Sequence, residues 1–221
     1  MNTSDFASSF SLRDYVAYLF PGVAGLLLLL LIRPDLAAWA EKHALAAGVI
    51  IIVGGYLVGF IAHGFFWHGV ARFLPNSTMV FAPRNKRQKS PFSIGFNELL
   101  DNVLASRLRN VAELEQDEIF YLAWRLAQRM DHPTLDHIAR LVTFSNISGS
   151  LSIVLFVAAC WFSYEAEWLE AGLLFALAIF QAYRFGKLRL DISKQIAYLL
   201  VANSDTLTTP QRDLFTPSRS I

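Results

Sequence analysis

Charge is scarce in this chain. Only 17% of its 221 residues are Asp, Glu, Lys or Arg, against 54% hydrophobic, and mean hydropathy is +0.40. A soluble domain of this size carries nearer a quarter charged residues and breaks its apolar residues into shorter runs. The balance excludes an ordinary soluble fold and favours a polytopic membrane protein with a modest soluble portion. Cysteine is nearly absent: Cys160 is alone, in an apolar run, so no intrachain disulfide can form. No GxSxG, P-loop or kinase motif occurs, and no base lies near Cys160 in the sequence. The apolar runs keep no acid or base at their middles, where a pump or secondary transporter needs proton or ion relays.

What is present is a set of long apolar segments. Ala44 to Gly69 runs for more than twenty residues without Asp, Glu, Lys or Arg, enough to cross a bilayer as one helix. Gly48, Gly55 and Gly59 share one face of that helix, with His63 one turn further on. Gly55 and Gly59 have the small-xxx-small spacing that lets membrane helices approach backbone to backbone. The spacing predicts a helix-packing or oligomer face of Gly48, Gly55, Gly59 and His63. The expected spans are Tyr15–Ile32, Ala44–Trp67, Thr143–Tyr164 and Trp168–Tyr183, the last at the lower limit of length. Ala38-Trp39-Ala40 resembles a signal-peptidase site, but lies well past the first run, which we read as an uncleaved anchor.

The bases give a direction. With the two short linkers outside and everything else inside, 17 of the 19 Lys and Arg fall in the cytoplasm. Trp161 and Trp168 then flank an acidic outer turn, and Trp67 ends the second span at the inner face. The expected plan is a cytoplasmic tail (1–14), two spans (15–67), a cytoplasmic helical domain (68–142), two more spans (143–183), and an amphipathic helix and tail (184–221).

Within that plan Pro21-Gly22 predicts a kink in the first span, read as a packing kink before a gate. A basic linker over 75–93 carries Arg84, Lys86, Arg87 and Lys89, placed to meet anionic lipid head groups, each worth about 1 kcal/mol. No RNA motif or zinc spacing accompanies it, so nucleic acid is not an expected partner. Helices are expected over Ile94–Arg109 and Val111–Met130, the second with acids first and Arg125 and Arg129 last, as the helix dipole favours. Its apolar residues run nearly all round, which predicts burial on several sides and makes Phe120 and Trp124 candidates for partner docking. A third helix starts near Asp131–Pro133 and runs into the third span, whose inner half carries Ser145, Ser148, Ser150 and Ser152. The stripe Phe185, Leu188, Ile192, Ile196 and Leu199 predicts a helix that extends the fourth span or lies on the inner leaflet.

Two histidine pairs, His63/His68 and His132/His137, are five apart, not the four of a helical zinc site. We therefore expect no metal, no cofactor and no catalytic residue.

Residues Phe10 to Gly22, FSLRDYVAYLFPG, are similar to the starts of many small bacterial membrane proteins. The overall plan resembles the membrane components of anti-phage systems, above all the four-span membrane subunit of Kiwa. Multi-span effectors of retron and cyclic-nucleotide systems look more distantly similar. The resemblance implies a homo-oligomeric sensor or effector of the bacterial inner membrane, with a cytosolic protein partner and no site residues to carry over. The expected function is thus a non-enzymatic all-α sensor or effector with both termini cytoplasmic. The alternatives are an oligomeric pore lined by Ser145–Ser152 and a lipid-acting enzyme using His132 and His137.

Overall fold

A computed structural model describes residues 12–71, 93–107, 116–128, 130 and 132–203. The expected lipid contacts Arg84, Lys86, Arg87 and Lys89 lie outside them. Among the described residues every regular element is helical: α1 (Leu12–Ile32), α2 (Pro34–Lys42), α3 (Ala44–Phe65) followed by a π-helical turn (Phe66–Val70), α4 (Ile94–Arg107), α5 (Gln116–Gln128), α6 (Thr134–Tyr164) and α7 (Trp168–Ala202). Four stretches, Tyr15–Ile32, Ala44–Val70, Thr134–Tyr164 and Trp168–Ala202, are long and apolar enough to cross a membrane. The chain is an all-α, multi-pass membrane protein.

Several boundaries follow from local chemistry. α1 continues through Pro21, which is buried. The expected loop over 33–43 is instead a nine-residue helix, α2. Pro34 opens it, Asp35 lies in its first turn and Lys42 in its last, a charge order that suits the dipole. Arg33 clamps the start, donating to both Asp35 carboxylate oxygens at 2.9 and 2.7 Å. That hydrogen bond holds the Asp35 carboxyl below the usual carboxylate range and raises the Arg33 guanidinium. At the start of α6 the Thr134 backbone N–H donates to His132 Nδ1 at 3.2 Å, so this imidazole serves the helix end. α6 ends in a Schellman-type turn: Glu167 N–H reaches Phe162 O at 2.9 Å and Ala166 N–H reaches Ser163 O at 3.3 Å. Ala166 holds the left-handed position of that turn, φ 64°, which glycine usually fills.

The chain divides into two compact units, residues 1–77 with 136–192 and residues 78–135 with 193–221. In the first, α1 and α3 run antiparallel with their backbones in contact. A Cβ added at Gly22 would fall on the Gly55 carbonyl, and one at Gly59 on the Tyr18 carbonyl. Glycine is required at both for this approach. α6 lies antiparallel to α3, with Val154 against Gly25 of α1, Ser150 against His63 and Gly149 against Phe66.

In the second unit α4 buries Leu100, Val103 and Leu104, and α5 buries Ile119, Ala123, Leu126 and Ala127. The end of α7 buries Ile196, Ala197, Leu199 and Leu200, and its Tyr198 ring meets Phe96 of α4 edge-on at 4.9 Å. The stripe beyond 184 is therefore a continuation of α7 whose last turns are buried within protein. α5 is more one-sided than its composition suggests: Tyr121 is exposed, and Arg125 donates to its hydroxyl at 3.0 and 2.7 Å.

Candidate functional site

The densest polar chemistry of the first unit lies where α3 gives way to its π turn. Gly149 is the reason a ring fits there. Phe66 is fully buried, and a Cβ on Gly149 would stand 2.8 Å from its Cδ1. Phe185 of α7 completes the contact, its ring edge-on to Phe66 at 4.5 Å. The Ala71 N–H bonds back to Phe66 O, the five-residue step of a π turn, which admits one more residue than an α-turn would. Trp67 falls within this turn, with its ring 5.7 Å from Phe185.

Over that aromatic floor sits a cation. The Arg189 guanidinium carbon is 4.6 Å from the Trp67 ring centre and 5.4 Å from that of Phe185. Its Nη2 donates to Asn146 Oδ1 of α6 at 3.1 Å. Guanidinium suits this position because it is planar, weakly hydrated for a cation and able to stack while it hydrogen-bonds.

His63 joins the same helices one turn away. Its Nδ1 is 3.3 Å from Ser150 Oγ, and that hydroxyl is 3.0 Å from the Asn146 carbonyl. One hydroxyl proton cannot serve both. With the proton on the Asn146 carbonyl, His63 must donate from Nδ1, which leaves Nε2 as the acceptor. The His63 ring also meets Tyr18 of α1 at 5.1 Å and Trp67 at 6.1 Å. His63, Ser150, Asn146, Arg189 and Trp67 thus bind α3, α6 and α7 together, and Tyr18 ties them to α1.

The residues expected from sequence divide. Gly55 and Gly59 are buried against α1 of the same chain, whereas an added Cβ at Gly48 would meet nothing within 4 Å. Phe120 and Trp124 are half-buried, on the flanks of α5. Ser145, Ser148, Ser150 and Ser152 are all buried; Ser152 donates to Gly149 O at 2.7 Å, and Ser145 Oγ has no hydrogen-bond partner among the described residues. Arg189 and Asn146 escaped sequence reasoning altogether, because their pairing across 43 residues leaves no periodic trace. Among the described residues no three His, Cys, Asp or Glu side chains gather to hold a metal.

The class that the fold defines is a four-span helical membrane protein with a second, helical unit. No known protein family, curated protein or solved structure matches the chain.

Proposed function

We propose that this protein is a non-enzymatic sensor or effector of the bacterial inner membrane that self-associates through its spans and docks a cytosolic partner. The observation that carries the reading is α7. This single 35-residue helix contains an apolar span, contributes Arg189 to the polar cluster and ends among the buried residues of the second unit. A change at the cluster therefore has a continuous helix through which to reach the second unit. Partner docking falls to the flank of α5 with Phe120 and Trp124, and Arg84, Lys86, Arg87 and Lys89 meet anionic lipid head groups. With Gly55 and Gly59 occupied by α1, self-association uses the outer face of α3 beside Gly48, where Val49, Ile52 and Val53 are exposed.

Two alternatives have less support. A conduit along the α6 serines would need a polar face open to water, and these serines are buried. A lipid-acting enzyme would need His132 as a free base, and its Nδ1 already accepts from the Thr134 backbone. The test is mass spectrometry of the intact complex in native lipid, with a homo-oligomer and a bound soluble protein expected. A monomer both in detergent and in native membrane, with no protein co-purifying, contradicts the reading. The anti-phage setting implied by the architectural resemblance is tested by phage challenge of cells with and without the chain.

A further inference from the structure

Between α1, α3 and α6 the first unit leaves an apolar groove of about 380 Å³. Small residues, Gly25, Ala62 and Ala158, lie at its floor, and larger ones, Leu29, Phe65 and Trp161, along its rim. Ala62 and Ala158 are buried while Phe65 and Leu29 are exposed, so the groove opens sideways from the helices. All fourteen lining residues are Gly, Ala, Val, Leu, Ile, Phe or Trp, and the only side-chain polar group among them is the Trp161 indole. The groove is kept open by its small floor: at Gly25 even a Cβ would come within 3.0 Å of Val154.

Its dimensions select the occupant. Phe66 is level with Gly149, and Trp161 lies twelve residues further along α6, so the groove runs about 18 Å. All the free space in it, the open side included, is about 980 Å³. A helix with its side chains, about 10–12 Å across, fills roughly 1,400 Å³ or more over the same length. Fourteen lining residues also fall short of the roughly 20–30 per side of a standard protein interface. A single hydrocarbon chain fits both measures, and one leaflet of the bilayer core, about 15 Å deep, supplies a chain of matching reach. At one end of the groove Ile32 closes α1 just before the charged Arg33, and the amphipathic Trp161 indole stands where such rings prefer the membrane–water boundary.

We propose that this groove is a lipid site that holds one acyl chain of a membrane lipid, with the head group at the Ile32–Trp161 end. The site does not depend on the function proposed above. The full chain is reconstituted in phosphatidylcholine vesicles containing a phospholipid with a photoreactive diazirine in its acyl chain, and labelled residues are mapped by mass spectrometry. Labels are expected to concentrate on the groove, above their level on the exposed face of α7 around Leu173 and Leu177. Val157→Trp, on the exposed rim, and Ala158→Leu, on the floor, each fill part of the groove and bring its labelling down toward the level on α7. The α7 labelling stays unchanged. If Ala158→Leu fails to fold, Val157→Trp decides alone. Labelling spread evenly over all exposed apolar residues, labelling unaffected by the substitutions, or crosslinks from the groove to a second copy would each overturn the proposal.

Discussion

α3 makes two contacts within the first unit, and they are built on opposite chemical principles. Against α1 it offers glycine: side chains are removed until backbone meets backbone at Gly22, Gly55 and Gly59. Against α6 and α7, α3 and the π turn that follows it offer larger side chains, His63, Phe66 and Trp67, which meet Ser150, Gly149, Phe185 and Arg189. In lipid no hydrophobic force draws helices together, so association relies on close packing or on polar bonds. The first contact uses packing and has one tight solution. The second uses hydrogen bonds and ring contacts.

The largest expected effect breaks the packing contact. Gly59→Leu places a side chain on the Tyr18 carbonyl and should cost about 3 kcal/mol or more, read from thermal unfolding in detergent. Gly48→Leu, on the same helix with open space around it, should change unfolding little; an equal loss at Gly48 would dissolve the comparison.

The polar contact should be softer. A double-mutant cycle of Arg189→Met and Trp67→Leu should give a coupling of about 1 kcal/mol, as expected for a cation over an indole, and a coupling near zero would reduce Arg189 to packing. Ser150→Ala should cost only about 0.6 kcal/mol, the average for a hydrogen bond between membrane helices, because the unfolded helix finds other partners.

The smallest effect lies away from both contacts. Asp35 should titrate by carboxyl NMR below the usual aspartate range, and Arg33→Gln should return it upward. Because the folded carboxyl is depressed, the pair favours the folded helix above the ordinary aspartate range. That contribution is lost as pH falls through the depressed folded-state value.

Much of the fold was legible because its signals are local. Span length, the helix running from the 130s into the third span and the one-sided stripe beyond 184 all follow from hydropathy and periodicity over a few turns. The small helix Pro34–Lys42 was hidden by its shortness, nine residues between two long apolar runs, although Pro34, Asp35 and Lys42 stood in helix-start and helix-end positions. The packing role of Gly55 and Gly59 was legible from their spacing. That α1 of the same chain covers them was not, since spacing describes one surface and says nothing of its partner. The cluster was least legible: His63 meets Ser150 across 87 residues, and only the folded helices bring them together.

The π turn at Phe66–Val70 has a consequence for how this chain can vary. Such a turn is in effect a one-residue insertion that the helix absorbs as a bulge. Deleting one residue there would restore a plain α-helix, with the change confined to the turn itself. Trp67, which lies within the turn, would then change its place relative to the Arg189 guanidinium. The helix therefore tolerates many substitutions along its lipid face, but in these five residues its length counts as much as its composition.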